Sequence, residues 1–83
     1  MKKISASVRL RQLMTEQNVR PVDVLEKCKP LCEKHGIKIS KANLSQWMSG
    51  LCEPTYSKAF ILSQVFDVSD AWLMGFDVPK KRG

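Results

Sequence analysis

Apolar positions recur three and four apart along most of the chain, and no run sustains a period of two, so the sequence predicts an all-α fold. Ala6, Leu10, Leu13 and Gln17 fall on one stripe of a first helix spanning Ser5 to Gln17, with Arg9, Arg11 and Glu16 mostly off it. Asn18, Val19 and Arg20 make a short break. Pro21 then opens a second helix, because a proline at the first helical position gives up no hydrogen bond and its φ is already helical. Val24, Leu25, Cys28 and Cys32 form the apolar face of this helix. Pro30 interrupts it: an interior proline costs about 3 kcal/mol and removes a backbone bond, so a kink or break is expected near Lys29. The next residues make a further turn or two that Gly36 stops. Ile37, Lys38 and Ile39 read as an extended connector burying one isoleucine.

Ser40 is a good N-cap for a third helix, which Gly50 ends. Leu44 and Trp47 or Met48 can reach a core from it. After a turn at Glu53, Pro54 and Thr55, a fourth helix runs from Tyr56 to Phe66 with Ala59, Leu62, Ser63 and Phe66 inward. Ser69 caps a short fifth helix, Asp70 to Met74, closed by Gly75. Five helical pieces in 83 residues make one small domain, assigned to residues 1–79. Residues 80–83 read as a basic, solvated tail or the start of a linker to a further C-terminal region.

Charge adds the first functional hint. A formal +6 favours a polyanionic partner. No stretch approaches the roughly 20 apolar residues that a bilayer crossing needs, and nothing resembles a signal peptide, so a cytoplasmic protein without a membrane partner is expected. Cys28, Cys32 and Cys52 are odd in number and form no Cys-x-x-Cys pair, which argues against a disulfide scaffold. Cys28, Cys32 and His35 share one side of the second helix at a spacing that could hold a metal, but no fourth ligand is evident, and the cysteines read as small apolar fillers with His35 near a helix end. Trp47 and Trp72 read as core anchors.

The third helix carries the chemistry. Lys41, Ala42, Asn43, Ser45, Gln46 and Ser49 form its polar face, and no Asp or Glu occurs from Lys34 to Cys52. A helix shaped only for stability carries acids in its first turn, where they meet the positive end of the dipole; this one carries Lys41. An arriving phosphate would find free N–H groups there. Asn and Gln can pair bidentately with adenine, and Lys can reach guanine O6 and N7. The same residues also suit an ordinary solvent face, and composition leaves both readings open.

Taken in order, Pro21-x-x-Val24-Leu25, the Ser40 helix with Leu44-Ser45-Gln46-Trp47 and Gly50, Pro54, and the closing run from Val68 to Pro79 resemble the N-terminal domain of temperate-phage CI-type repressors. These belong to the Cro/CI (lambda repressor-like, XRE) helix-turn-helix family. The resemblance implies a compact five-helix domain whose second and third helices form the helix-turn-helix, with the third in the major groove of double-stranded operator DNA. Lys41, Ala42, Asn43, Ser45 and Gln46 then fall at base-facing positions. Arg20, Ser40 and Ser49 fall where family members hold phosphates, joined by Lys38, Ser57 and Lys58, with Lys2 and Lys3 as a short arm. Trp72, Met74 and Phe76 are candidates for a dimer contact, since palindromic operators call for two-fold symmetry.

The resemblance implies a transcriptional repressor of a phage or prophage acting in a bacterial cell, with no cofactor, no metal and no enzymatic activity. Its expected partners are operator DNA, further copies of itself in a longer protein, and an antirepressor protein. Two departures stand out. The segment from Lys29 to Ile39 is much longer than the family's tight turn, and Pro21 replaces a glutamine that braces the recognition helix in many relatives. The alternative is a protein-interaction module, antitoxin-like or adaptor, on the same fold. One histidine, no paired carboxylates in a plausible cleft and no glycine-rich phosphate loop argue against an enzyme.

Overall fold

The computed structural model describes residues 4–81, so the Lys2 and Lys3 arm and the last two residues of the tail lie outside the described residues. Five helices follow one another: α1 (Ala6–Glu16), α2 (Pro21–His35), α3 (Lys41–Ser49), α4 (Tyr56–Phe66) and α5 (Asp70–Leu73). The described residues contain no strand, and the class is all-α, as the periodicity predicts. No helix among them is long and apolar enough to cross a membrane.

One core joins the helices. Leu10 and Leu13 of α1, Val24 and Cys28 of α2, Leu44 and Trp47 of α3, Ile61, Leu62 and Phe66 of α4, and Trp72 and Leu73 of α5 all bury in it. Helix α1 packs on α3 and α5, α2 on α3 and α4, and α4 on α5. Each junction is set by local chemistry. Asn18 takes a left-handed φ of 53°, which lets the Val19 N–H reach back to the Met14 carbonyl at 3.0 Å and stops α1. Gln17 does not join the apolar stripe. It is exposed, and its amide donates to the Phe66 carbonyl at 3.1 Å, tying the end of α1 to the end of α4.

Helix α2 departs from expectation at Pro30. There is no break at Lys29: the helix runs unbroken through the proline to His35. Pro30 is exposed, so the carbonyl its ring leaves without an N–H partner can take water. Leu31 and Cys32 pack against the core, and the His35 ring stands edge-on to Phe60 at 5.6 Å, which holds the last turns in place. Gly36 ends α2 at φ 65°, with the Ile37 N–H on the Cys32 carbonyl at 2.9 Å. The long segment between the second and third helices therefore shrinks to a connector, Gly36 to Ser40. Its extra length went into α2. Ile37 and Ile39 are both half-buried, where one buried isoleucine was expected.

Arg9 is a second correction. It lies on the buried side of α1, 8% exposed, with its guanidinium carbon 4.2 Å from the centroid of the Trp72 ring and Nη1 donating to the Trp72 carbonyl at 3.1 Å. The chain past α5 is corrected as well. Lys80 is not a solvated tail residue: its carbonyl accepts from the Ser69 N–H at 2.8 Å, its ammonium lies 5.3 Å from the Trp72 ring centroid, and it pairs with Glu16. The Lys80 ammonium holds the Glu16 carboxyl below its usual range.

Burial, with Cys32 nearby, pushes the Cys28 thiol up to about 12 from an ordinary 9.0. The folded state keeps this proton where the unfolded chain has released it, so stability is full below pH 9 and falls as the pH rises towards 12. The expected slope is about 1.4 kcal/mol per pH unit once the unfolded thiol ionises. Urea unfolding of the wild type and of Cys28→Ala between pH 8 and 10.5 checks it: the difference between the two should narrow with pH, and a constant difference would contradict it.

Candidate nucleic-acid interface

Helix α3 sits on the globule by one narrow stripe. Leu44 and Trp47 are buried and Met48 is half-buried, while Lys41, Ala42, Ser45, Gln46 and Ser49 are exposed. Those five positions are spaced i, i+1, i+4, i+5 and i+8, which places them along one side of the helix. The sequence picked out this face, and the structure leaves it open to solvent.

Both ends of α3 are fixed. Ser40 and Asn43 form a reciprocal cap: Ser40 Oγ accepts from the Asn43 N–H at 3.1 Å, and Asn43 Oδ1 accepts from the Ser40 N–H at 3.1 Å. At the other end Gly50 takes φ 81°, and the Leu51 N–H reaches the Gln46 carbonyl at 3.0 Å. Ser7 of α1 lies against Gly50, so the end of α3 abuts the start of α1. Asn43 is thus half-buried and engaged in the cap, unlike the freely presented residues beside it.

Helix α4 begins close to the start of α3. Lys58 Nζ donates to Asn43 Oδ1 at 3.4 Å and lies 6.0 Å from the Trp47 ring centroid. Ser57 beside it is exposed, as are Lys38 and Ser40 on the approach to α3. These phosphate candidates therefore gather around two neighbouring helix starts. Arg20 is apart from them, at the N-cap of α2, with its side chain 79% exposed and Nε 3.4 Å from Asp23. The Arg20 N–H and guanidinium together hold the Asp23 carboxyl below its usual range.

The helix starts differ in charge. Asp23 and Asp70 lie in the first turns of α2 and α5, and Glu53 Oε1 accepts from the Ala6 N–H at the start of α1, at 3.3 Å. Helices α3 and α4 have no acid in their first turns. The two neighbouring helix starts that share the Lys58–Asn43 contact therefore have no first-turn acid. Partial positive charge from the backbone adds to that of Lys41 and Lys58 there.

Beside α3, Arg11, Pro21, Lys41, Leu44, Ser45, Met48 and Ser49 line a shallow groove of about 440 Å³. Pro21, which has no side-chain donor, faces α3 across it.

Of the three dimer-contact candidates, Trp72 is corrected. It is 7% exposed and serves the core and the Arg9 contact, so it has no surface to offer a second subunit. Met74 is half-buried and Phe76 is 36% exposed. Cys28, Cys32 and His35 do not come together as ligands: Cys28 is buried, His35 turns to Phe60, and no group of three or more metal-binding side chains forms among the described residues. Sequence reasoning missed the Lys58–Asn43 link and the Cys52 thiol, which donates to Gln46 Oε1 at 3.7 Å. Each contact joins a residue of α3 to one outside that helix, so no periodicity signals them.

No protein-family model and no curated protein matches this chain.

Proposed function

We propose that the chain is a sequence-specific double-stranded DNA-binding domain of the repressor kind, similar to the phage CI-type domains that its sequence resembles. Helix α3 enters the major groove, and occupancy of an operator blocks transcription sterically. The observation that carries this reading is the pair of adjacent helix starts without first-turn acids, beside an exposed α3 face without a carboxylate. Phosphates of one strand lie against Ser40, Lys41, Ser57 and Lys58, while Lys41, Asn43, Ser45 and Gln46 reach base edges. The short side chains of Ala42 and Ser45 let the helix sit deep. Lys38, Arg20 and Ser49 extend the phosphate contact, with Arg20 exchanging Asp23 for a phosphate. Met74 and Phe76 remain the candidates for contact with a second copy on a two-fold symmetric operator.

A titration of the purified protein against duplexes selected from a random library tests this. Gln46→Ala is expected to relax preference by about 1–3 kcal/mol at one base position. Arg20→Ala should weaken every sequence alike and reduce the salt slope by about one. Unchanged operator preference in Gln46→Ala would move the reading face elsewhere on the molecule.

A further inference from the structure

We infer that the α3 face reads hydrogen-bond acceptors, preferring guanine over adenine, and that Asn43 does not make the bidentate adenine pair open to a free asparagine. This rests on the DNA-binding reading above and specifies its ligand. The Asn43 carboxamide has one oxygen with two lone pairs and one amino group with two donors. Both lone pairs are in use: the Ser40 backbone N–H and the Lys58 ammonium donate to Oδ1, at 3.1 and 3.4 Å. Neither group can accept a hydrogen bond, so the orientation of the amide is fixed by its neighbours. A base edge meets only the Nδ2 end.

Gln46 is held more loosely: the Cys52 S–H occupies one lone pair of its Oε1, at 3.7 Å, and its amino end is open to a ligand. Lys41, exposed on the same stripe, has donors and no acceptor. Adenine presents N7 as an acceptor with the N6 amino donor beside it, whereas guanine presents two adjacent acceptors, N7 and O6. A row of donors satisfies both guanine atoms and sets a donor against adenine N6.

Asn43→Asp separates this role from the structural one. Aspartate keeps an oxygen for the Ser40 N–H and so preserves the cap, but removes both donors. Its added charge weakens all sequences together, so the informative quantity is the ratio of affinities for guanine and adenine at one base pair. The experiment selects bound duplexes from a random library with the full chain at moderate salt. Wild type and Asn43→Asp are then compared on the selected site with each base pair exchanged. Expected is guanine at the base pairs where Asn43→Asp alters the preference, with a guanine-to-adenine ratio of about tenfold in the wild type that Asn43→Asp abolishes. Replacing that guanine by 7-deazaguanine, which lacks the N7 acceptor, should weaken the wild type and leave Asn43→Asp unaffected. Adenine at those base pairs, or a ratio unchanged in Asn43→Asp, overturns the inference while sequence-specific binding stands. A library that yields no preferred sequence overturns the DNA-binding reading itself.

Discussion

Arg9→Met should lower the stability of the domain by about 2–4 kcal/mol and its Tm by more than about 10 °C. The methionine keeps an apolar stem of similar reach, so the loss isolates the guanidinium. Two interactions go with it. The cation 4.2 Å from the Trp72 ring centroid is largely desolvated, a setting in which such contacts are worth about 2 kcal/mol. The hydrogen bond to the Trp72 carbonyl has a charged donor, a class worth about 1.5–3 kcal/mol. The new apolar side chain offsets part of the sum. Arg9→Lys should recover less than half, because an ammonium lacks the flat fork that both meets the ring and reaches the carbonyl. Thermal melts of the three proteins decide the matter. A Tm of Arg9→Met equal to that of the wild type would show that the contact between α1 and α5 contributes nothing.

Pro30→Ala should act in the opposite direction and stabilise by about 2 kcal/mol. Alanine in a helix interior is favoured over proline by about 3 kcal/mol, and the restored N–H can bond the Glu26 carbonyl four residues back. Against this stands the looser unfolded chain, at most about 1 kcal/mol. Because α2 already continues through position 30 and the side chain there is exposed, no packing has to change. Urea unfolding should show a higher midpoint at an unchanged m-value. A lower midpoint would mean that the last turns of α2 owe their seat on α4 to the proline.

These two residues also mark how far the sequence could be read. The number and order of helices, their caps at Ser40 and Ser69 and their stops at Gly36 and Gly50 followed from periodicity and terminal chemistry, which are local. Arg9 belongs to the same pattern: positions 6, 9, 10 and 13 are spaced i, i+3, i+4 and i+7, a helical stripe in which only the charge argues against burial. What made its burial possible was the Trp72 ring, 63 residues away, and no local rule supplies a partner at that distance. Pro30 shows the converse. The local penalty was read correctly, and packing around Leu31, Cys32 and His35 outweighed it.

The candidate interface was legible to a similar depth. Exposure of Lys41, Ala42, Ser45, Gln46 and Ser49 follows from the burial of Leu44 and Trp47 three residues apart, so the outward stripe could be drawn from the sequence. The engagement of Asn43 could be half seen, since Ser-x-x-Asn is a capping pattern. The other half, the Lys58 ammonium, comes from a separate helix whose position depends on the whole core. Helix starts without first-turn acids could be counted in the sequence, but that Glu53 reaches the start of α1 is a matter of three-dimensional arrangement.

The return of Lys80 to Ser69, Glu16 and Trp72 has a mechanical consequence. Any segment that follows is tethered at Lys80 and not at Leu73, where the last helix ends. The leash to an attached body is shorter by that much, and its anchor point lies at the α1–α5 corner of the molecule. On the proposed DNA-binding reading, two such domains linked through their ends would search for paired half-sites within a smaller volume than the count of non-helical residues suggests, raising the effective concentration of one for the other.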